Sequence, residues 1–168
     1  MRLRPSFCSP SNCKDGSGPE PGLIQDPSGN FYGTTNWGGA GAVGTVFELR
    51  ASGKENVLYS FTGRKGGPNP YPYDGVVRDS HGNLFGVTWQ GGGSGCGGWG
   101  CGVVYEITAT GEEKTLYRFT GGADGGNPSS GLVLGSDGNL YGTTYYGGDL
   151  SCYDGYNYGC GTVFKITP

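Results

Sequence analysis

Short runs of β-branched and aromatic residues, broken every few positions by Gly, Asn, Asp, Ser or Pro, fill this chain from residue 22 onward. That punctuation predicts β-strands joined by turns. One run occurs three times: Gly29-Asn30-Phe31-Tyr32-Gly33-Thr34-Thr35, Gly82-Asn83-Leu84-Phe85-Gly86-Val87-Thr88 and Gly138-Asn139-Leu140-Tyr141-Gly142-Thr143-Thr144. A second run follows each copy: Gly44-Thr45-Val46-Phe47-Glu48-Leu49, Gly102-Val103-Val104-Tyr105-Glu106-Ile107 and Gly161-Thr162-Val163-Phe164-Lys165-Ile166. A third, Leu58-Tyr59-Ser60-Phe61-Thr62-Gly63, recurs as Leu116-Tyr117-Arg118-Phe119-Thr120-Gly121. Each unit therefore divides into four segments, a to d. In the middle unit they are expected near Gly75 to Arg78, Asn83 to Thr88, Val103 to Thr108 and Lys114 to Thr120.

Segments b and c place apolar residues side by side, as in Phe31-Tyr32 and Val46-Phe47, so both faces of these strands are expected to be buried. Segment d alternates, with Val57, Tyr59 and Phe61 against Ser60 and Thr62, as a half-exposed outer strand does. No stretch carries useful helical periodicity. Four strands in a period of roughly 40 to 50 residues or slightly more is the pattern of a β-propeller blade. The expected fold is thus all-β, a β-propeller of three four-stranded units. The units are 22–74, 75–130 and 131–168, the third lacking segment d, while residues 1–21 hold a strand equivalent to d (Leu3 to Phe7) and its exit loop. Propellers close by completing the last blade with the first strand. Since three blades are fewer than the usual four to eight, two chains forming one six-bladed homodimer are expected.

Composition narrows the function classes. Glycine makes up 38 of 168 residues, yet aromatics at 13% argue against disorder. A net charge of -3 with scattered Lys and Arg gives no footprint for nucleic acid. No apolar run is long enough to span a membrane. Residues 1 to 7 lack the hydrophobic core of a signal peptide, which suggests a mature or truncated form, or a start inside a longer gene. The six cysteines fall in three close pairs, Cys8 with Cys13, Cys96 with Cys101 and Cys152 with Cys160. Of the fifteen possible connectivities the local one is the simplest, because each pair lies within one loop. Reduced thiols are the alternative. A zinc site would need Cys-x-x-Cys spacing or histidines, and His81 is the only histidine. Disulfides point to an oxidising compartment and hence to export, an extracellular or cell-surface location.

The run Asp-x-x-Gly-Asn-Leu-Tyr-Gly-Thr-Thr, then Gly-Gly, a variable loop, Gly-Thr-Val-Phe-Lys-Ile and Leu-Tyr-Ser-Phe-Thr-Gly resembles the GloVer tandem repeat of bacterial exported proteins. The pieces stand here at Asp26 to Gly39, Gly44 to Leu49 and Leu58 to Gly63, and the resemblance covers residues 22–168. It implies a propeller-like fold and a secreted or surface-anchored location, and no catalytic residue. The third copy departs from the pattern with Gly135 where Asp26 and Asp79 stand.

In an up-and-down blade the b to c and d to a loops share one rim. All six cysteines fall there, together with Trp37, Trp89, Trp99, Tyr71, Tyr73, Tyr145, Tyr146, Tyr153, Tyr156 and Tyr158. The opposite rim carries tight turns, with His81 in one of them as a solvated turn residue. Exposed aromatics among Asn, Asp and Gly suit the apolar faces and hydroxyls of sugars, and they suit protein partners as well. The plainer reading of Trp37, Trp89 and Tyr145, taken as matching positions after segment b, is that they cap the blade interfaces. Trp99 and Tyr153, Tyr156 and Tyr158 break the repeat, which favours function there. Asp74 and Asp154, with Asp15, Glu20, Asp124 and Asp149, could supply an acid/base pair for glycoside cleavage, although loop Asp is usually turn chemistry. Glycine-rich Gly93 to Gly98 lacks the helix a dinucleotide site needs, and no nucleophile elbow is present. No cofactor is expected, with calcium between loops left open. The resulting expectation is an exported, non-enzymatic binding or scaffold module. Its ligand-binding residues would be Trp37, Trp89, Trp99, Tyr145, Tyr146, Tyr153, Tyr156, Tyr158, Asp74 and Asp154, and its partner a glycan or a protein. The competing class is a carbohydrate-active hydrolase or lyase.

Overall fold

The computed structural model of the chain describes residues 6–8, 12–63, 71–152 and 159–168. They form three antiparallel sheets. The first comprises β1 (Ser17–Pro19), β2 (Ile24–Gln25), β3 (Phe31–Trp37), β4 (Thr45–Leu49) and β5 (Glu55–Ser60). The second comprises β6 (Pro72–Arg78), β7 (Leu84–Thr88), β8 (Val103–Ile107) and β9 (Glu113–Arg118). The third comprises β10 (Gly126–Pro128), β11 (Val133–Leu134), β12 (Leu140–Tyr146) and β13 (Thr162–Ile166). Among the described residues the one helical element is a 3-10 turn at Cys96–Gly98.

Segments b, c and d of the middle unit coincide with β7, β8 and β9 to within about a residue or two, the usual scatter of strand ends. Segment a is longer than expected, because the d to a loop pairs with segment b before segment a proper begins. In the first sheet Ser17 faces Trp37 and Ile24 faces Tyr32 along the same edge of β3. In the third sheet Gly126 faces Tyr146 and Val133 faces Tyr141 along β12. Prolines open or close this stretch at Pro19, Pro72 and Pro128, and the β6 pairing slips between Tyr73 and Val77. A proline donates no ladder hydrogen bond, so it belongs at such an interruption.

Polar residues in and around the repeated run hold its turns together. In the first two copies Asp26 and Asp79 cap the a to b turn, accepting the amides of Ser28 and Asn30, and of His81 and Asn83, at 2.8–2.9 Å. Where the third copy has Gly135, Asp137 supplies the carboxylate instead and binds the side chains of Asn139 at 2.6 Å and Tyr141 at 2.8 Å. The repeat's Asn ties this turn to the c to d turn: Asn30 Oδ1 accepts the Ala51 amide, Asn83 Oδ1 the Ala109 amide, and Asn139 Oδ1 the Thr167 hydroxyl. The last Thr accepts the amide that begins segment c, Thr35 from Thr45, Thr88 from Val103 and Thr144 from Thr162. Glu48 pairs with Arg50 at 3.0 Å, Glu106 with Lys114 at 3.6 Å and Lys165 with Asp137 at 3.3 Å, so this slot is ion-paired locally within its own sheet.

The core lies between successive sheets. Val46 and Tyr32 of the first sheet meet Val76, Leu84, Tyr105 and Ile107 of the second. Val104, Val87 and Phe85 of the second meet Leu132 and Leu140 of the third, with Phe164 and Ile166 packed against them. Each sheet thus has an upstream face, carrying the Val76 and Tyr105 positions, and a downstream face, carrying the Val46 position. At both junctions the Phe that ends segment d packs edge-on against the next sheet's aromatic: Phe61 on Tyr105 and Phe119 on Phe164, each at 5.1 Å. Both faces of β7 are buried as expected. β12 and β13 are only half-buried, since the described residues hold no sheet beyond them.

Candidate functional site

The loops after segment b and those returning from segment d meet along one rim, where strand register sets the order of the aromatics. Trp37 ends β3 opposite Ser17 as Tyr146 ends β12 opposite Gly126, so these two are equivalent. Trp89 and Tyr145 lie one residue earlier in their units, level with Asn36. Trp37 is therefore not at the matching position taken for it, and because side chains alternate along a strand it projects to the other side of its sheet from Asn36.

Trp37 and Tyr145 are exposed, and Trp89 is half-buried. Trp37 stacks edge-on with Tyr71 at 4.7 Å, and Tyr73 lies 5.6 Å from Trp89. On the far side Trp89 is 6.0 Å from Tyr145 and 6.4 Å from Tyr146, whose own rings are 4.7 Å apart. Trp89 separates two open clefts. One, of about 390 Å³, is lined by Asn36, Trp37, Tyr71, Tyr73, Trp89 and Gln90. The other, of about 380 Å³, has Trp99 and Tyr146 facing Trp89, with Gln90 and Asn127 beside them. Trp99 is set there by the 3-10 turn at Cys96–Gly98 and by the Cys96–Cys101 disulfide. The Asn127 side chain donates to the Trp89 carbonyl at 2.8 Å and so fixes the backbone beneath the shared tryptophan. Trp89 lies half-buried beside Tyr145 and Tyr146 of the third sheet and lines both clefts.

The structure brings together Trp37, Trp89, Trp99, Tyr145 and Tyr146. Tyr153, Asp154, Tyr156 and Tyr158 lie outside the described residues. Asp74 lines neither cleft. It sits at the β6 irregularity with φ +60°, where its carboxylate accepts the amides of Gly75 at 2.8 Å and Gly131 at 2.7 Å, and its carbonyl accepts the Thr34 hydroxyl. Asp74 therefore ties the a segments of the second and third sheets to segment b of the first. The other described rim aspartates are likewise engaged: Asp15 by the Cys8 amide, Asp124 by Tyr117 and Thr120, Asp149 by Ser151. The Asp124 carboxyl is held below its ordinary value, since burial raises it but the Thr120 and Tyr117 hydrogen bonds outweigh that. Among the described residues no three His, Cys, Asp or Glu side chains group as metal ligands. His81 lies in the Asp79 turn, its Nδ1 3.7 Å from the carboxylate.

Sequence reasoning passed over Asn36, Gln90 and Asn127 as cleft residues. The signal available was their place: Asn36 and Gln90 directly follow the repeated run, and Asn127 precedes the repeated Pro128. The three cysteine pairs are disulfides, Cys8–Cys13, Cys96–Cys101 and Cys152–Cys160, each closed within its own loop.

The sequence matches the Gloeobacter/Verrucomicrobia repeat over residues 5–168, and the chain belongs to that family. No curated protein matches it in sequence. Among solved structures it is similar to a luciferin-regenerating enzyme, at 17% identity and a TM-score of 0.52 over 91% of this chain and 46% of that one. It is similar also to a candidate gluconolactonase, at 17% identity and a TM-score of 0.51 over 86% of this chain and 48% of that one. Virginiamycin B lyase from Staphylococcus aureus aligns at 19% identity with a TM-score of 0.49, covering 74% of this chain and 34% of that one. The chain spans less than half the length of these structures. The likeness is one of fold, and it is a β-propeller-like, all-β fold.

Proposed function

We propose that this chain is an exported, non-catalytic module that binds carbohydrate along its aromatic rim. The observation that carries the reading is Trp89, standing between two open clefts and flanked by Tyr73 on one side and Tyr145 and Tyr146 on the other. A row of aromatic edges and faces bordered by Asn36, Gln90 and Asn127 offers what a pyranose needs, apolar surface for its C–H face and amides for its hydroxyls. The turn and loop hydrogen bonds of Asp15, Asp74, Asp124 and Asp149 give these four carboxylates a structural role, which favours binding. Three disulfides within one chain support export. The test is a glycan array run beside reducing-end assays on the retained sugars. Retention without cleavage, lost in Trp89→Ala, supports the module. Reducing ends released by the protein overturn it in favour of a hydrolase or lyase, and a blank array with a protein partner recovered instead moves the rim to protein recognition.

A further inference from the structure

The two junctions inside the chain are built from equivalent residues, and at the two outer faces the counterparts Val163 and Leu23 stand exposed, while Phe47 is 4% exposed beneath Phe7. Val46 and Val104, on the downstream faces of the first and second sheets, are 0% exposed, whereas Val163 at the same position of the third is 80% exposed. On the upstream faces Val76 and Leu132 are 3% and 5% exposed, and their counterpart Leu23 is 58% exposed. Leu23 belongs to an apolar cleft of about 630 Å³ that it shares with Phe7, Phe47 and Leu49. Phe47 and Leu49 correspond to Tyr105 and Ile107, which are core residues at the next junction. One outer face is thus a third copy of the upstream half of an internal junction, and the other is a third copy of the downstream half.

Phe7 adds an independent observation. It packs edge-on against Phe47 at 4.9 Å, the contact that Phe61 makes with Tyr105 and Phe119 with Phe164. In those two junctions the contributing Phe directly follows the outer strand of the preceding sheet, β5 or β9, which is paired to segment c of that sheet. Phe7 therefore stands where the end of a preceding sheet's outer strand stands. The third sheet is the one in which no described strand pairs beyond segment c, β13.

We propose that the downstream face of the third sheet docks on the upstream face of the first sheet of a second copy of this chain, seating Val163 against the partner copy's Leu23. Done reciprocally, this closes two copies into one ring of six sheets, the size class of single-chain propellers. The contact is head-to-tail, so neither face can satisfy itself, and among the described residues Val163 and Leu23 stay exposed.

Sedimentation velocity and light scattering on the full chain at micromolar concentration test this. The expected particle has twice the chain mass. Val163→Lys, at a position already exposed, keeps the far-ultraviolet spectrum of the fold but raises the dimer dissociation constant at least about tenfold. Leu23→Glu does the same from the other face. Mixing the two variants restores a heterodimer through one intact Val163–Leu23 junction and one opposed-charge junction, which only a head-to-tail contact allows. A monomer at all concentrations overturns the proposal. So does a dimer that survives both substitutions, or one that survives Leu23→Glu alone, since that contact would use other surfaces or pair like faces. A dimer that forms normally yet retains no sugar would leave this inference standing while the carbohydrate reading fails.

Discussion

The phenol ring of Tyr105 lies across Gly86, its register partner on the neighbouring strand, so closely that a Cβ on Gly86 would stand 2.3 Å from the Tyr105 oxygen. The pairing repeats: a Cβ on Gly33 would meet the Phe47 ring at 2.8 Å, and one on Gly142 the Phe164 ring at 2.4 Å. The second glycine of the repeated run is therefore a docking place for the cross-strand aromatic. Its value is the missing side chain and not backbone freedom.

Gly86→Ala forces the fully buried Tyr105 ring to move and is expected to cost about 1–3 kcal/mol, in the range of overpacked cores. Tyr105→Phe acts in the opposite sense. The hydroxyl is buried without a partner among the described residues, and burial, reinforced by the charge of Glu113, pushes its pKa upward. Both equivalent positions are Phe, so removing the oxygen is expected to stabilise by about 1 kcal/mol. Urea denaturation of the two variants checks both signs, and a destabilised Tyr105→Phe would show that the hydroxyl has a partner.

Thr35 and Thr45 share a buried hydrogen bond of 2.8 Å, and Thr35 also accepts the Thr45 amide at 3.1 Å. Thr35→Val strands that amide and is expected to cost about 1–3 kcal/mol. Thr45→Val is expected to cost less than about 1 kcal/mol, because the middle unit already has Val103 there and keeps the amide bond to Thr88. Equal losses in chemical denaturation would refute this division of roles.

The turn aspartates make stability depend on acid. At Asp137 the Tyr141 hydroxyl, then the side chain and amide of Asn139, hold the carboxyl well below 3.8. At Asp26 and Asp79 burial raises the value, but hydrogen bonds led by Asn30 and Asn83 outweigh it. A depressed folded-state pKa contributes stability that is complete above the unfolded value and lost as pH falls through the folded one. The urea midpoint is therefore expected to be flat above about pH 5 and to fall steadily below about pH 4, less steeply in Asp137→Asn. A midpoint unchanged down to pH 2 would contradict the turn geometry.

Trp99 and Trp89 separate binding from folding. Trp99 is exposed at the lip of its cleft, so Trp99→Ala is expected to shift stability by less than about 0.5 kcal/mol while weakening ligand retention. Trp89 is also half-buried beside Tyr145 and Tyr146 of the third sheet, so Trp89→Ala is expected to lose retention and about 1–3 kcal/mol together. Calorimetric melting beside glycan retention distinguishes the two, and a large melting loss in Trp99→Ala would place that ring in the core.

Reducing the Cys96–Cys101 bridge, through Cys96→Ser with Cys101→Ala, is expected to cost about 2 kcal/mol, the chain-entropy value for so short a loop. The larger effect falls on Trp99, whose turn the bridge holds, and tryptophan fluorescence anisotropy reads it directly. Unaltered Trp99 anisotropy would mean that the turn stands without the bridge.

The repeat itself determined the strands and their order. Alternation and paired apolar runs placed β7, β8 and β9, and tandem copies of one run demanded one sheet per copy. Turn chemistry was legible too, since an Asp before Gly-Asn has few physical uses other than capping, and cysteines confined to single loops had nearby partners. Tertiary structure alone decided which face of each strand meets which sheet. It also decided that segment a begins early, at Ser17, Pro72 and Gly126, that Asp74 is a staple between sheets, and that Trp37 aligns with Tyr146 while Trp89 aligns with Tyr145. The reason is one of range: strand propensity and turns depend on neighbours a few residues away. Burial at Val46, Val104 and Val163 depends on a sheet some fifty residues distant, and identical valines in a repeated sentence carry no mark of whether that sheet is there.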